Sequence, residues 1–357
     1  MTSLAFYSRV NSDKGVFLRM DKRIAPADQL IDPFQRQITY LRLSVTDRCD
    51  LRCTYCMDEN VTFVPRKQLL SLEELDRLAS GFVALGVRKI RLTGGEPLVR
   101  KNVLWLIERL SRHLRDGTLD ELTMTSNGTQ LVRFADQIAA AGMRRINISL
   151  DSLDPQKFKE ITRLGDLSPV LGGIDAALDA GLKVKINMVA IKGFNDHEIA
   201  PMMEWAHGKG MDLTLIEVMP FGDGERWLPN LIGLDDIRSG LEEKYTLQDV
   251  EQRTGGPARY VTVRETGGRL GLITPMSGNF CEGCNRIRVT CRGRLYQCLG
   301  HETYVDLRAA LIEHADDDAL NVAIQTAIAG KPEGHDFAER RKCGTPNAKR
   351  DMSATGG

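Results

Sequence analysis

Three cysteines fall within the eight residues CDLRCTYC, at Cys49, Cys53 and Cys56. Three thiolates are one short of the closed tetrahedral set of a structural zinc site. A four-iron cluster takes one protein ligand per iron, so three cysteines leave one iron open to another donor. A zinc or structural site completed by a distant residue is the alternative, and spacing alone leaves it open. A second group, CEGCNRIRVTCRGRLYQC, holds Cys281, Cys284, Cys291 and Cys298. Taken by itself, that group reads as a four-ligand zinc ribbon.

Cations form the second chemical signal. Arg42 stands between Leu41 and Leu43, and Arg91 between Ile90 and Leu92. Strand alternation turns both away from their apolar neighbours, and helices covering the outer face would leave them pointing inward. Lys183 and Lys185 share one strand face, as do Arg286 and Arg288. Interior cations need an anion or an acid partner. Salt bridges could serve any one of them; several converging on one mouth favour a polyanion. Arginine suits phosphate through its bidentate fork, lysine as a point charge.

The elements that must position these groups follow from pattern. "TYLRLSV" (39–45), "KIRLT" (89–93), "ELTMTSNG" (121–128), "RINISLD" (145–151), "KVKINMVAI" (183–191) and "DLTLIEVMP" (212–220) read as strands. Helices are predicted over 71–86, with Ser71 and Glu74 as a capping box, and over 131–142, closing on Gly142. Others are expected near 102–114, 169–180, 198–209 and 234–244. Six β-then-α units predict an α/β fold with a parallel sheet, as an incomplete barrel or an open doubly wound sheet. The first cysteine group then lies in the first βα loop, at the carboxyl edge where ligands bind. After residue 250 the rhythm changes to short strands at 259–265, 269–276 and 285–291, then two helices near 305–329.

The chain has 357 residues, 42% apolar and 27% charged, enough for a sizeable core and for two domains or a barrel with an appendage. Lys+Arg and Asp+Glu are both 48, and zero net charge argues against a general nucleic-acid or membrane-surface binder. No run of about 18 apolar residues predicts a membrane span. The N-terminus lacks an apolar signal core, being broken by Arg9, Lys14, Arg19, Asp21, Lys22 and Arg23, so a cytoplasmic location is expected. Eight cysteines in such a chain favour metal over disulfides. The expected divisions are an extension over 1–36, a partial barrel over 37–245, a C-terminal domain over 246–340 and a tail over 341–357.

C-x3-C-x2-C with Tyr55 before its last cysteine, in a first βα loop, resembles the radical S-adenosylmethionine (SAM) enzymes. "GGEP" at 94–97 and "SLD" at 149–151 fit the same pattern, with Glu96 offered as an acceptor for an ammonium group. Cys281, Cys284 and Cys298, as C-x2-C-x13-C, resemble the second cluster motif of the GTP 3′,8-cyclase family. "YLRLSVTDRCDLRCTYCM", "IRLTGGEPLVR", "TSNG", "INISLDSLD", "NFCEGCNRIRVT" and a terminal "GG" stand in that family's order.

The resemblance implies an incomplete TIM-type barrel of six βα units. Its C-terminal domain, of short β-structure and helices, holds a second cluster across the mouth. It implies two 4Fe-4S clusters, SAM bound at the open iron of the first, and GTP presented to the open iron of the second. A deoxyadenosyl radical then takes the ribose 3′ hydrogen, and the carbon radical closes on guanine C8. It assigns SAM to Tyr55, Gly95, Ser149 and Met219. It assigns GTP to Arg42, Arg91, Thr125, Lys185, Arg286, Ile287 and Arg288, and places Gly356 and Gly357 in the active site. It further implies hand-over of product to cyclic pyranopterin monophosphate synthase, a reductant of flavodoxin or ferredoxin type, and leaves room for a homodimer. Cys291 lies outside the pattern; as a ligand it would close the open iron. Thr214 stands where the family usually carries arginine, and Asp58 where it usually carries proline. Two rivals are a radical SAM enzyme acting on a peptide or other small molecule, and a zinc-ribbon scaffold binding nucleic acid.

Overall fold

The computed structural model describes residues 29–251, 255–278, 280–313, 316–335, 337 and 350–356. Most of the expected extension and tail, including Gly357, lies outside them.

Strands β1 (Tyr40–Ser44), β2 (Lys89–Thr93), β3 (Glu121–Ser126), β4 (Arg145–Ser149), β5 (Lys183–Ala190) and β6 (Asp212–Glu217) pair in parallel and in chain order. Helices α1 (Leu72–Ala84), α2 (Val103–Leu110), α3 (Arg112–Arg115), α4 (Leu131–Ala140), α5 (Pro155–Thr162), α6 (Leu167–Asp179), α7 (Ile199–Gly208) and α8 (Leu234–Glu242) come between and after them. The capping box that starts α1 is made, with Glu74 N donating to Ser71 Oγ at 3.0 Å and Ser71 N to Glu74 Oε2 at 2.6 Å.

Sequence reasoning missed α5, although Asp154 as N-cap and Pro155 at the first helical position announce it. Beyond α8 come β7 (Leu247–Val250), β8 (Arg259–Val263), β9 (Arg269–Ile273), β10 (Arg286–Val289), β11 (Arg294–Tyr296) and β12 (Val305–Asp306). They are followed by α9 (Arg308–Ile312), α10 (Asp318–Ala329) and a last short helix, α11 (Met352–Thr355).

The C-terminal strands extend the same sheet at both ends. Strand β9 pairs in parallel with β6, and β10 in parallel with β1. The order is β12-β11-β10-β1-β2-β3-β4-β5-β6-β9-β8-β7, so the segment from β9 to β10 joins the two edges and carries Cys281 and Cys284. One cavity is lined at once from β1 through β6, β8 and β10, which requires the sheet to curl into an incomplete barrel.

Alternation decides which side chains see the cavity. Leu41, Leu43, Ile90, Leu92, Met124, Ile146, Ile148, Ile186, Met188, Leu213 and Leu215 belong to the buried core outside it. Each contributes about 1.5–3 kcal/mol by burial. Arg42, Arg91, Thr125, Asn147, Lys185 and Thr214, one position away, face inward.

Candidate functional site

The loop after β1 brings Cys49, Cys53 and Cys56 to the cavity. Cys56 N and Met57 N both donate to Cys53 O, at 2.9 and 3.2 Å, which closes a single turn. Arg52 N to Thr162 O (3.0 Å) and Thr54 N to Ile161 O (2.8 Å) tie the loop to the end of α5. Arg163, at φ +60°, donates to Arg52 O and Met57 O at 3.1 Å and pairs with Asp223 at 3.1 Å.

The two glycines of GGEP are there for backbone packing. A Cβ on Gly94 would stand 2.5 Å from Thr46 O, and one on Gly95 would stand 2.2 Å from Arg48 O. Only glycine lets the second loop lie this close to the first. Glu96 ties the GGEP loop to its neighbour. It is fully buried and accepts from Leu98 N (3.0 Å), Ser126 Oγ (3.0 Å) and Asn127 N (2.7 Å), locking the second and third loops together.

Burial pushes all three thiols of this triad up, Cys56 to about 12, and nearby carboxylates, Asp351 beside Cys56 and Asp151 beside Cys53, add to it. Three free thiolates are therefore disfavoured, and the donor set fits a positively charged group bound by all three. Tyr55, beside the last of them, donates to Asp151 Oδ2 at 2.7 Å, and Asp151 also accepts from Val189 N at 2.8 Å. Tyr55, Gly95, Ser149 and Met219 all line the cavity.

Below this loop the inward cations stand side by side. Arg42 is the register partner of Arg91 on one side and of Arg288 on the other. Burial pushes Arg42 down to about 10, with Arg91 and Arg286 adding their repulsion. Arg288 is lowered by burial and then by Arg42 and Arg286. Neighbouring buried guanidinium groups are unfavourable unless an anion joins them. Thr125, Lys185, Arg286 and Ile287 line the same cavity. Lys183 shares a face with Lys185 but is exposed at the start of β5.

Sequence reasoning missed Lys89, Arg145, Asn187 and Tyr260, which also line the cavity. Period two from Arg91 and Asn147 points to the first two. Lys89 and Arg145 share Glu121 as partner. Among the described residues nothing bonds Arg91 Nε, Asn147 Oδ1 or Thr214 Oγ1, all buried in the cavity wall.

Thr214 faces Gly271 across the β6–β9 pair. A Cβ there would meet Thr214 Oγ1 and Tyr260 Cε1, both at 2.9 Å. The ring of Tyr260 thus packs beside the place where a longer residue 214 would lie, and its hydroxyl accepts from Lys185 Nζ. Tyr260→Phe is expected to raise the KM for an anionic substrate about three- to tenfold while leaving kcat near wild type, as removal of one hydrogen bond to a charged group does. Steady-state kinetics check it.

Cys281, Cys284 and Cys298 line the same cavity. Cys291 does not; it is buried beside Ser44, Asp47 and Arg100, and its carbonyl accepts from Leu70 N at 2.8 Å. Among the described residues no three Cys, His, Asp or Glu side chains sit close enough to ligate one ion. A four-iron cube spreads three thiolates over three irons and asks for a wider triangle than zinc does.

The tail reaches the cavity at Met352. Met352 N donates to Cys56 O at 3.0 Å, and Gly356 O accepts from Arg288 Nη1 at 3.0 Å and Arg42 Nη2 at 3.3 Å.

Residues 43–206 match the Radical SAM superfamily, and residues 211–337 match the family described as Molybdenum Cofactor Synthesis C. The GTP 3′,8-cyclases of Brucella canis and Brucella ovis are each 60% identical over 339 residues, covering 94% of this chain and 97% of theirs. This chain belongs to the GTP 3′,8-cyclase family.

Solved structures show the same fold at low identity. Streptococcus suis SuiB bound to S-adenosylmethionine is 16% identical at a TM-score of 0.57, covering 89% of this chain and 78% of that one. SuiB bound to the precursor peptide SuiA is 16% identical at 0.58, covering 88% and 75%. No helix among the described residues is long and apolar enough to cross a membrane.

Proposed function

We propose that this chain converts GTP to (8S)-3′,8-cyclo-7,8-dihydroguanosine 5′-triphosphate, the first step of molybdenum cofactor biosynthesis. The observation that carries this reading is one cavity lined by both cysteine triads and by the register-paired Arg288, Arg42 and Arg91. Identity of 60% to named GTP 3′,8-cyclases over nearly their whole length supports it.

In this reading Cys49, Cys53 and Cys56 hold one 4Fe-4S cluster, and Cys281, Cys284 and Cys298 hold the other. With SAM bound, the first supplies a 5′-deoxyadenosyl radical competent to take the ribose 3′ hydrogen. Tyr55, Gly95, Ser149 and Met219 seat SAM. Arg42, Arg91 and Arg288 neutralise the triphosphate, with Lys185 and Thr125 beside them, and Arg286 and Ile287 flank the base near the second triad. The barrel walls exclude water from the reacting atoms. Product passes to cyclic pyranopterin monophosphate synthase, electrons come from a flavodoxin- or ferredoxin-type carrier, and the enzyme works in the cytoplasm.

The likeness to a peptide-bound structure is 16% identical and speaks for the fold alone. Reconstituted protein incubated anaerobically with SAM, dithionite and GTP is expected to form deoxyadenosine and cyclised nucleotide in equal amounts. Deoxyadenosine formed only when a peptide is supplied would overturn the reading.

A further inference from the structure

Lys331 directly follows α10 and its Gly330 cap, and is 3% exposed. Among the described residues its ammonium has two partners, Gln297 O at 2.9 Å and Cys284 Sγ at 3.7 Å. Among the described residues no carboxylate pairs with it. A buried ammonium without a carboxylate is strongly unfavourable unless another negative charge faces it. The group that faces it is the thiolate of Cys284, which Arg286 Nη2 also approaches, at 3.8 Å.

The segment carrying Lys331 is held rigidly against the same triad. Arg36 is buried and paired with Asp32 at 2.6 Å. It donates to Cys281 O at 2.7 Å, to Pro332 O at 2.7 Å and to Glu333 O. Gly334 packs on Cys281, where a Cβ would stand 3.2 Å from the sulfur. His301 Nε2 meets Gly334 O at 3.0 Å. One guanidinium thus fastens residues 332–333 to the Cys281 loop, next to the contact of Lys331 with Cys284.

We propose that Lys331 is a positioning residue for the second cluster, donating an N–H···S hydrogen bond to the Cys284 thiolate and setting the cluster's reduction potential. The inference rests on the proposed function, because it takes Cys281, Cys284 and Cys298 as cluster ligands. Three thiolates leave an oxidised four-iron cluster with net negative charge, and reduction adds another. A fixed positive charge and a hydrogen bond at a ligand sulfur therefore favour the reduced form.

The test compares Lys331→Met with Lys331→Arg in the full, anaerobically reconstituted chain, by iron content and by redox titration followed by electron paramagnetic resonance. The second cluster is recognised as the signal that responds to GTP and not to SAM. Lys331→Met is expected to keep about eight irons and to move that cluster's midpoint to more negative values. Lys331→Arg is expected to return it toward wild type, and the SAM-responsive signal should not move. Should Lys331→Met shed about half its iron while Lys331→Arg keeps it, the charge is needed to hold the thiolate, which also supports the assignment. An unmoved midpoint in a fully loaded Lys331→Met protein overturns it. So does equal loss of iron in both variants, which would make Lys331 a packing residue. Cyclised product from GTP, measured separately, reports on the proposed function whichever way the midpoint falls.

Discussion

Cys53→Ala is expected to lower iron from about eight atoms to about four per chain and to abolish deoxyadenosine formation. Cys298→Ala should show the same loss of iron with a different consequence. It leaves intact the residues proposed to seat SAM, so deoxyadenosine should still form, but cyclised nucleotide is expected to fall at least ~1,000-fold, equivalent to about 4 kcal/mol of barrier. The asymmetry follows from geometry. Cys49, Cys53 and Cys56 share one loop with Tyr55, while Cys281, Cys284 and Cys298 stand on segments contributed by the C-terminal strands.

Cys291→Ser is the control. Its thiol lies beside Ser44 and Asp47 and takes no part in lining the cavity. Iron content near eight and unchanged product are therefore expected. A halving of iron in Cys291→Ser would mean that the second triad is misassigned. Iron and sulfide assays with chromatography of both nucleoside products decide each case.

The barrel was legible because its signals are local and repeated. Alternation placed Leu41 and Leu43 against the helices and Arg42 in the cavity, and Ser71 with Glu74 marked the start of α1. Local signals could not say what the GGEP glycines approach. That neighbour is the Thr46–Arg48 backbone, 47 to 48 residues earlier in the chain, and it exists only once β1 and β2 are paired. The same limit hid the role of Glu96, whose acceptor oxygens are taken by donors from the third loop.

It also hid Tyr260. Nothing in "RYVTVRE" marks a cavity residue, because its place comes from β8 lying antiparallel to β9, and β9 in parallel beside β6. Nor does sequence show that Arg36 and Lys331 meet at one triad. They lie at opposite ends of the chain and are joined through the carbonyls of Cys281, Pro332 and Gln297.

Gly356→Val is expected to reduce cyclised product at least about tenfold without loss of iron or of helical content. Gly356 has φ +76°, a region that L side chains avoid at roughly 1–3 kcal/mol. A Cβ there would also stand 2.1 Å from Thr93 Oγ1 and 2.9 Å from Thr93 Cβ, at the carboxyl end of β2. The tail would have to withdraw. Its carbonyl would then leave Arg288 and Arg42, two of the cations proposed to hold the triphosphate.

The rest of the tail need not move. Arg350 stays paired with Glu302 at 2.9 Å and stacked over Tyr296, and Met352 N stays on Cys56 O. The defect is therefore local to the cavity, and the first cluster should keep its SAM-responsive signal. Thr93→Ala removes the atom nearest the added carbon, so it should restore part of the activity of Gly356→Ala, though not of Gly356→Val. That non-additivity is a coupling a remote tail could not produce. Full activity in Gly356→Val, or Thr93→Ala and Gly356→Ala effects that simply add, would place the tail outside the cavity during turnover. Arg42 and Arg288 would then be left to the substrate's phosphates alone.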